Sequence, residues 1–144
     1  MTNDQLAILK QKLGTDFVPH LPPLLVQNKP AEHLAIKNLS RAFSAYTLQK
    51  IANLDAETAS KAVVDDYEDN GLDAIHYHQP SKKLFLVQAK LRPDEPFSQD
   101  EANAFCNGVR DLLNQRYDRF NKNVEDRQAE LEAALDDAGA VCSS

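Results

Sequence analysis

The stretch Asn70-Gly71-Leu72-Asp73-Ala74-Ile75-His76-Tyr77-His78-Gln79-Pro80-Ser81-Lys82-Lys83-Leu84-Phe85-Leu86-Val87-Gln88-Ala89-Lys90-Leu91 decides how the chain is read. Two runs rich in apolar and aromatic residues, Leu72 to His78 and Lys83 to Leu91, flank Gln79-Pro80-Ser81-Lys82, which has the length and composition of a hairpin connection. A turn of that length pairs His78 with Lys83, and counting back opposes Tyr77 to Leu84, Ile75 to Leu86 and Asp73 to Gln88. Directly opposed residues share a face, and Lys90, two positions beyond Gln88, returns to it. The register therefore gathers Asp73, Gln88 and Lys90 at one end of the hairpin, beside Ile75, Tyr77, Leu84 and Leu86. The other face carries Ala74, His76, Phe85, Val87, Ala89 and Leu91. Both faces are largely apolar, so the hairpin is expected to be central and covered on both sides.

Working outward, Ala62-Val63-Val64 predicts a first strand ahead of the acidic loop Asp65-Asp66-Tyr67-Glu68-Asp69-Asn70-Gly71. Before it, Pro30 suits the first turn of a helix with Ile36, Leu39, Phe43, Tyr46 and Ile51 as its apolar face, ending at Asn53 to Asp55. Ala56 to Lys61 is ambiguous, because its Ala, Glu and Lys favour a helical turn while Thr58 and Ser60 do not. Thr2 and Gln5 have capping-box spacing, and Leu6, Leu9 and Leu13 predict a short helix ending at Gly14. Residues 15–29, with Pro19, Pro22 and Pro23 among apolar residues, read as an extended segment laid over the core. Downstream, Ser98 and Glu101 form a second capping box opening a long helix through Phe105, Leu112, Tyr117, Phe120, Leu131 and Leu135, with a break near Asn121 to Asn123. The fold class is α/β, with residues 1–29 as an N-terminal helix and Pro-rich segment and residues 30–144 as the core.

At 144 residues the chain holds one hydrophobic core at most, and 42% hydrophobic with 26% charged residues excludes disorder and collagen. No apolar run approaches the ~18 residues of a membrane span, and Met1-Thr2-Asn3-Asp4 lacks a signal peptide's basic start, so a cytoplasmic location without a membrane partner is expected. Cys106 and Cys142 read as free thiols. The net charge of −6 would repel a phosphate backbone if evenly spread. It is not even: residues 1–64 carry +2, 65–73 carry −5, 74–93 carry +4 and 94–144 carry −7. A carboxylate cluster beside Lys and Arg is what a metal-dependent phosphodiester site requires. On charge alone, a loop and a solvated hairpin are the favoured account of the pattern.

The segment Asn70-Gly71-Leu72-Asp73-Ala74-Ile75, followed by Leu84-Phe85-Leu86-Val87-Gln88-Ala89-Lys90, resembles the signature of the PD-(D/E)xK restriction-endonuclease-like superfamily, in the variant where Gln replaces the usual acid. More narrowly, Asp69 to Ile75 with Val87-Gln88-Ala89-Lys90 is similar to the N-terminal region of the abortive infection phage resistance (AIPR) family. The resemblance spans residues 30–138, and its specific part is about twenty residues long. It implies a restriction-endonuclease-like core: a helix, a three-stranded, mainly antiparallel sheet and a long helix. It also implies a last core strand cut off near Val141, a fragment of a longer chain whose remainder would be its partner, and room for a homo-oligomer.

The implied activity is Mg²⁺- or Mn²⁺-dependent endonucleolytic hydrolysis of nucleic acid, DNA favoured over RNA, in an anti-phage effector. The Asp73 carboxylate, the Gln88 amide oxygen and the Ala89 backbone carbonyl supply the hard oxygen ligands such a cation requires. Gln adds no charge, so Asp69, Glu68 and Asp66 are the nearest compensating carboxylates. Related nucleases draw a Glu from the first core helix; here that helix offers Glu32, with Glu57 or the acidic loop as substitutes. Lys90 would orient or deprotonate the attacking water and balance charge on the phosphate.

Each residue also has a structural reading. Asp73 could cap the turn after Gly71, Gln88 could satisfy backbone groups at a sheet edge, and Lys90 could be a snorkelling strand end. The competing function is a non-catalytic α/β interaction module whose acidic long helix docks a partner. His76 and His78 alternate on the strand, yet no third zinc ligand has suitable spacing. Arg110, Arg116, Arg119 and Arg127 are interleaved with Asp111, Asp118, Glu125 and Asp126, which favours surface ion pairs over a basic stripe.

Overall fold

The computed structural model describes residues 2–66, 70–91 and 95–137. The hairpin takes the register set by its turn: β1 (Ala74–His78) and β2 (Lys83–Val87) are antiparallel, with His78 against Lys83, Tyr77 against Leu84 and Ile75 against Leu86. Lys82 closes the turn in the left-handed region, at φ 55°, and its N–H donates to the Gln79 carbonyl at 3.1 Å. The His78 Nδ1 and Ser81 Oγ share a hydrogen bond of 2.6 Å across the same turn.

Both strands are shorter than the apolar runs that encode them. The Asp73 N–H donates at 2.7 Å to the carbonyl of Val87, the partner of Ala74, instead of continuing the ladder to Gln88. The Asp73 carbonyl turns the other way and accepts the N–H groups of Val64 and Asp65, at 2.8 and 3.0 Å. The expected first strand is likewise reduced to a bridge of Val63 with Ala74, supported by the Ile75 N–H on the Ala62 carbonyl. Among the described residues the sheet is therefore two-stranded, not three-stranded. Ala62 is still helical as the cap of the preceding helix, which leaves too few extended residues for a strand before Asp65 and Asp66 turn away.

The N-terminal helix α1 (Asn3–Asp16) starts on the Thr2 and Gln5 capping box but runs through Gly14 and is closed by Phe17. A 3-10 turn at Val18–His20 precedes the irregular segment 21–30. Helix α2 (Ala31–Ala52) ends at Asn53 in the left-handed conformation. Its buried stripe is Arg41, Ala42, Ser44, Ala45 and Leu48, one position off the expected large apolar face. Small side chains let the helix approach the sheet closely, so Leu39, Phe43 and Tyr46 are only partly buried, and Ile36 and Ile51 are exposed. Ala56–Lys61 forms α3, capped by the Asp55 carboxylate on the Thr58 N–H.

Helix α4 (Gln99–Leu113) begins on the Ser98 and Glu101 capping box. The long helix expected there breaks earlier than Asn121: Asn114 caps it and Gln115 takes φ 59°. A 3-10 turn at Tyr117–Arg119 follows, then α5 (Lys122–Glu125) and α6 (Gln128–Asp137). Asn121 joins this region to the centre, donating to the Val64 carbonyl while its side-chain oxygen accepts the Val124 N–H.

The core lies on both faces of the hairpin, as its two apolar surfaces require. Ala74, Val87 and Ala89 pack with Leu13, Ala42 and Leu48, whereas Ile75, Leu84 and Leu86 pack with Leu112, Val124 and Leu131. Leu13 and Phe17 are fully buried in the first cluster, so the N-terminal segment shares the core of residues 30–137.

Helix α4 meets the turn before Asp73 backbone to backbone. A Cβ on Gly71, whose φ is +78°, would lie 2.4 Å from the Ala104 carbonyl oxygen, and one on Gly108 would lie 2.0 Å from that of Asn70. The Asn70 amide donates to Asp111 at 2.8 Å on the same helix.

Candidate functional site

Asp73 stands where β1 begins, and its residue is 2% exposed. Its Oδ2 accepts the N–H of Ala89 at 2.9 Å. A carboxylate this buried is costly without such partners. The contact lands on the middle residue of Gln88-Ala89-Lys90, so Asp73 and that segment meet directly. Gln88 is half-buried, Ala89 is buried and Lys90 is exposed.

Lys90 faces a groove of about 370 Å³ that it lines with His33, Ile36, Lys37, Ser40 and Asp65. The carboxylate sharing this groove with Lys90 is Asp65, the first residue of the acidic loop and not one of the carboxylates singled out within it. Its side chain lies 3.9 Å from the Lys37 ammonium. The hairpin thus joins Asp73 to Ala89, while the end of β2 and α2 join Lys90 to Asp65. The signal for Asp65 was present in the acidic run, where it directly follows the apolar Val63-Val64.

Behind the groove, Arg41 is fully buried. Its Nε donates to the Asp65 carbonyl at 2.9 Å and its other nitrogens to the Pro22 carbonyl at 2.7 Å and Asn38 Oδ1 at 3.1 Å. Burial pulls the guanidinium below its ordinary pKa, and the nearby Asp66 and Asp65 oppose that pull. Asp66 accepts the Leu25 N–H at 2.8 Å, which fastens the Pro-rich segment to the acidic one. A cation within the seam of α2 is the sequence signal for this node.

Other expectations resolve less favourably for a metal centre. Glu68 and Asp69 lie outside the described residues, as do Val141 and Cys142. Glu32 is exposed on α2, and Glu57 hydrogen-bonds Lys61 at 2.7 Å, a contact that holds its carboxyl below the usual range. His76 stacks on Phe85, and His78 is taken up by Ser81. Arg119 pairs with Asp111 at 2.8 Å and Arg116 with Asp118 at 3.5 Å, both among the interleaved acids though not at i, i+4 spacing, while Arg127 pairs with Glu130 at 3.0 Å. Cys106 is a free, exposed thiol.

The donor chemistry of Asp73, Gln88 and the Ala89 carbonyl suits Mg²⁺ or Mn²⁺, with one carboxylate among them. Among the described residues no three His, Cys, Asp or Glu side chains are grouped to hold a metal ion. Nor is any described helix long and apolar enough to cross a membrane. Set against protein-family models, curated proteins and solved structures, the chain matches none.

Proposed function

We propose that the chain is a metal-dependent nuclease domain of the restriction-endonuclease-like class, acting on DNA in preference to RNA as part of an anti-phage effector similar to the abortive infection family. The observation that carries this reading is the hydrogen bond from Ala89 to Asp73, which sets the acid against the middle of the Gln-x-Lys segment. In this reading Asp73, the Gln88 amide oxygen and the Ala89 carbonyl hold Mg²⁺ or Mn²⁺, and Asp65 across the groove from Lys90 offsets the charge that Gln88 lacks. The bound cation would neutralise the scissile phosphate and acidify a water. Lys90, exposed at the groove, positions that water and stabilises charge as the phosphorus–oxygen bond is attacked.

The test is cleavage of labelled DNA and RNA with Mg²⁺, with Mn²⁺ and with EDTA, by wild type and Lys90→Ala. The expected result is metal-dependent cleavage that falls by roughly 10²-fold in the variant at unchanged melting temperature. Equal rates would leave the Gln-x-Lys resemblance without catalytic meaning. The second reading, a non-catalytic interaction module, draws on the 2% exposure of Asp73 and the main-chain donor already held by its carboxylate. It predicts no cleavage and no metal-induced rise in melting temperature.

A further inference from the structure

Three cavities run end to end along the exposed face of α2. The one holding Lys90 and Asp65 shares Ile36, Ser40 and Lys90 with a cavity of about 320 Å³ that extends to Lys10 and Leu91. On its other side it shares His33 and Lys37 with one of about 300 Å³ that extends to Lys29 and Val26. His33, Lys37 and Ser40 recur at helical spacing, so the shared stretch is about 10 Å long.

The chemistry along this trough is uniform. Lys10, Lys29, Lys37 and Lys90 place ammonium groups at both ends and in the middle. The two carboxylates present are partly answered from within: Asp66 lies against the charge of Arg41 and accepts the Leu25 N–H, and Asp65 is near Lys37. Between the lysines the surface is apolar, with Ile36 64% exposed in the centre. The excess acid of the chain is divided between residues 94–144, at −7, and residues 65–73, at −5, of which Asp65 and Asp66 line the trough. A narrow, concave, cationic track with an apolar strip suits a ligand that alternates anionic and flat apolar groups along one file. Nucleic acid with unpaired bases has that pattern, whereas a duplex offers only its phosphates and a lipid surface cannot enter a trough.

We infer that the α2 trough is a binding track for single-stranded nucleic acid, with Lys10, Lys29 and Lys37 on its phosphates and Ile36 under its bases. The inference takes the ligand class from the proposed nuclease function, and the track would lead a strand past Lys90. It does not require cleavage or metal.

The test is fluorescence anisotropy of a short labelled oligothymidylate with the protein in EDTA, at several salt concentrations. The triple variant Lys10→Gln, Lys29→Gln, Lys37→Gln is compared with a control neutralising Lys61, Lys83 and Lys122, which lie away from the trough. The expected result is binding weakened on the order of tenfold in the trough variant, with the log–log salt slope shallower by about 2, and little change in the control. Ile36→Asp should also weaken binding, and circular dichroism melts verify that each variant is folded. Absent wild-type binding, equal loss in the control, tighter binding of duplex, or preference for phosphatidylserine vesicles or polyglutamate would overturn the inference. Failure of the nuclease reading would appear separately, as intact binding in EDTA without cleavage in Mg²⁺.

Discussion

The Ala89 N–H donates to the Asp73 carboxylate at 2.9 Å across the point where the hairpin ladder changes partner. The acid at the centre of the proposed chemistry is therefore also a structural acceptor, and substitutions there separate the two roles.

Asp73→Ala leaves the Ala89 N–H buried without its acceptor, at a cost of about 1–3 kcal/mol. Asp73→Asn keeps an amide oxygen for that bond and should unfold close to wild type in urea. Both variants should lose Mg²⁺-dependent cleavage. An Asn variant that cleaves at the wild-type rate would remove Asp73 from the chemistry.

Gln88→Glu introduces the acid that the resemblance to the PD-(D/E)xK signature would place here. Because Gln88 is half-buried, the added carboxylate keeps some contact with water, and apparent Mg²⁺ affinity should stay level or rise. A Mg²⁺ titration of melting temperature reads this directly. If the variant is markedly less stable and Mg²⁺ restores nothing, the glutamine serves the fold alone.

Arg41→Met is expected to destabilise the protein by about 3–5 kcal/mol, because it withdraws a buried cation from Asp66 and the donors from two carbonyls. The loss should appear as a lower urea midpoint. Limited proteolysis should then cut first near Leu25, whose N–H is held by Asp66. A midpoint like that of wild type would show that the node is dispensable.

His76 gives the stability a pH dependence of definite sign. Burial first, then Arg127 and His78, lower its pKa, so the folded protein resists protonation while the unfolded chain accepts a proton near the ordinary value of about 6.5. Between those values the unfolded state binds more protons, and stability falls as pH drops through about 6.5 toward the folded value. Urea unfolding at neutral and mildly acidic pH should show this decline in wild type and a smaller one in His76→Gln.

The hairpin was legible because its turn length fixes its register, and register fixes faces: the pairs counted from Gln79-Pro80-Ser81-Lys82 are present from His78 with Lys83 back to Ile75 with Leu86, and only the outermost, Asp73 with Gln88, falls outside the ladder. Capping boxes at Thr2 and Ser98 were equally local and equally readable. What failed depended on tertiary partners. Val63 and Val64 have strand character, but α3 consumes Ala62 and leaves one bridge. Ile36 belongs to an apolar period on α2, yet the contact is made by Ala42 and Ala45, a choice set by how closely helix and sheet approach. At the site, sequence counting put Lys90 with Asp73, whereas the groove that Lys90 lines is shared with Asp65, His33 and Lys37, residues distant in sequence and united by packing of α2, and not with Asp73 or Gln88.

The backbone contact at Gly71 and Gly108 couples evolution at two remote positions. Since neither site has space for a methyl group, a homologue bearing any side chain at either one must carry a displaced α4 or a longer approach to Asp73. Variation at position 108 is thus tied to the path of the chain before position 73, and a side chain there requires that path or helix α4 to move first.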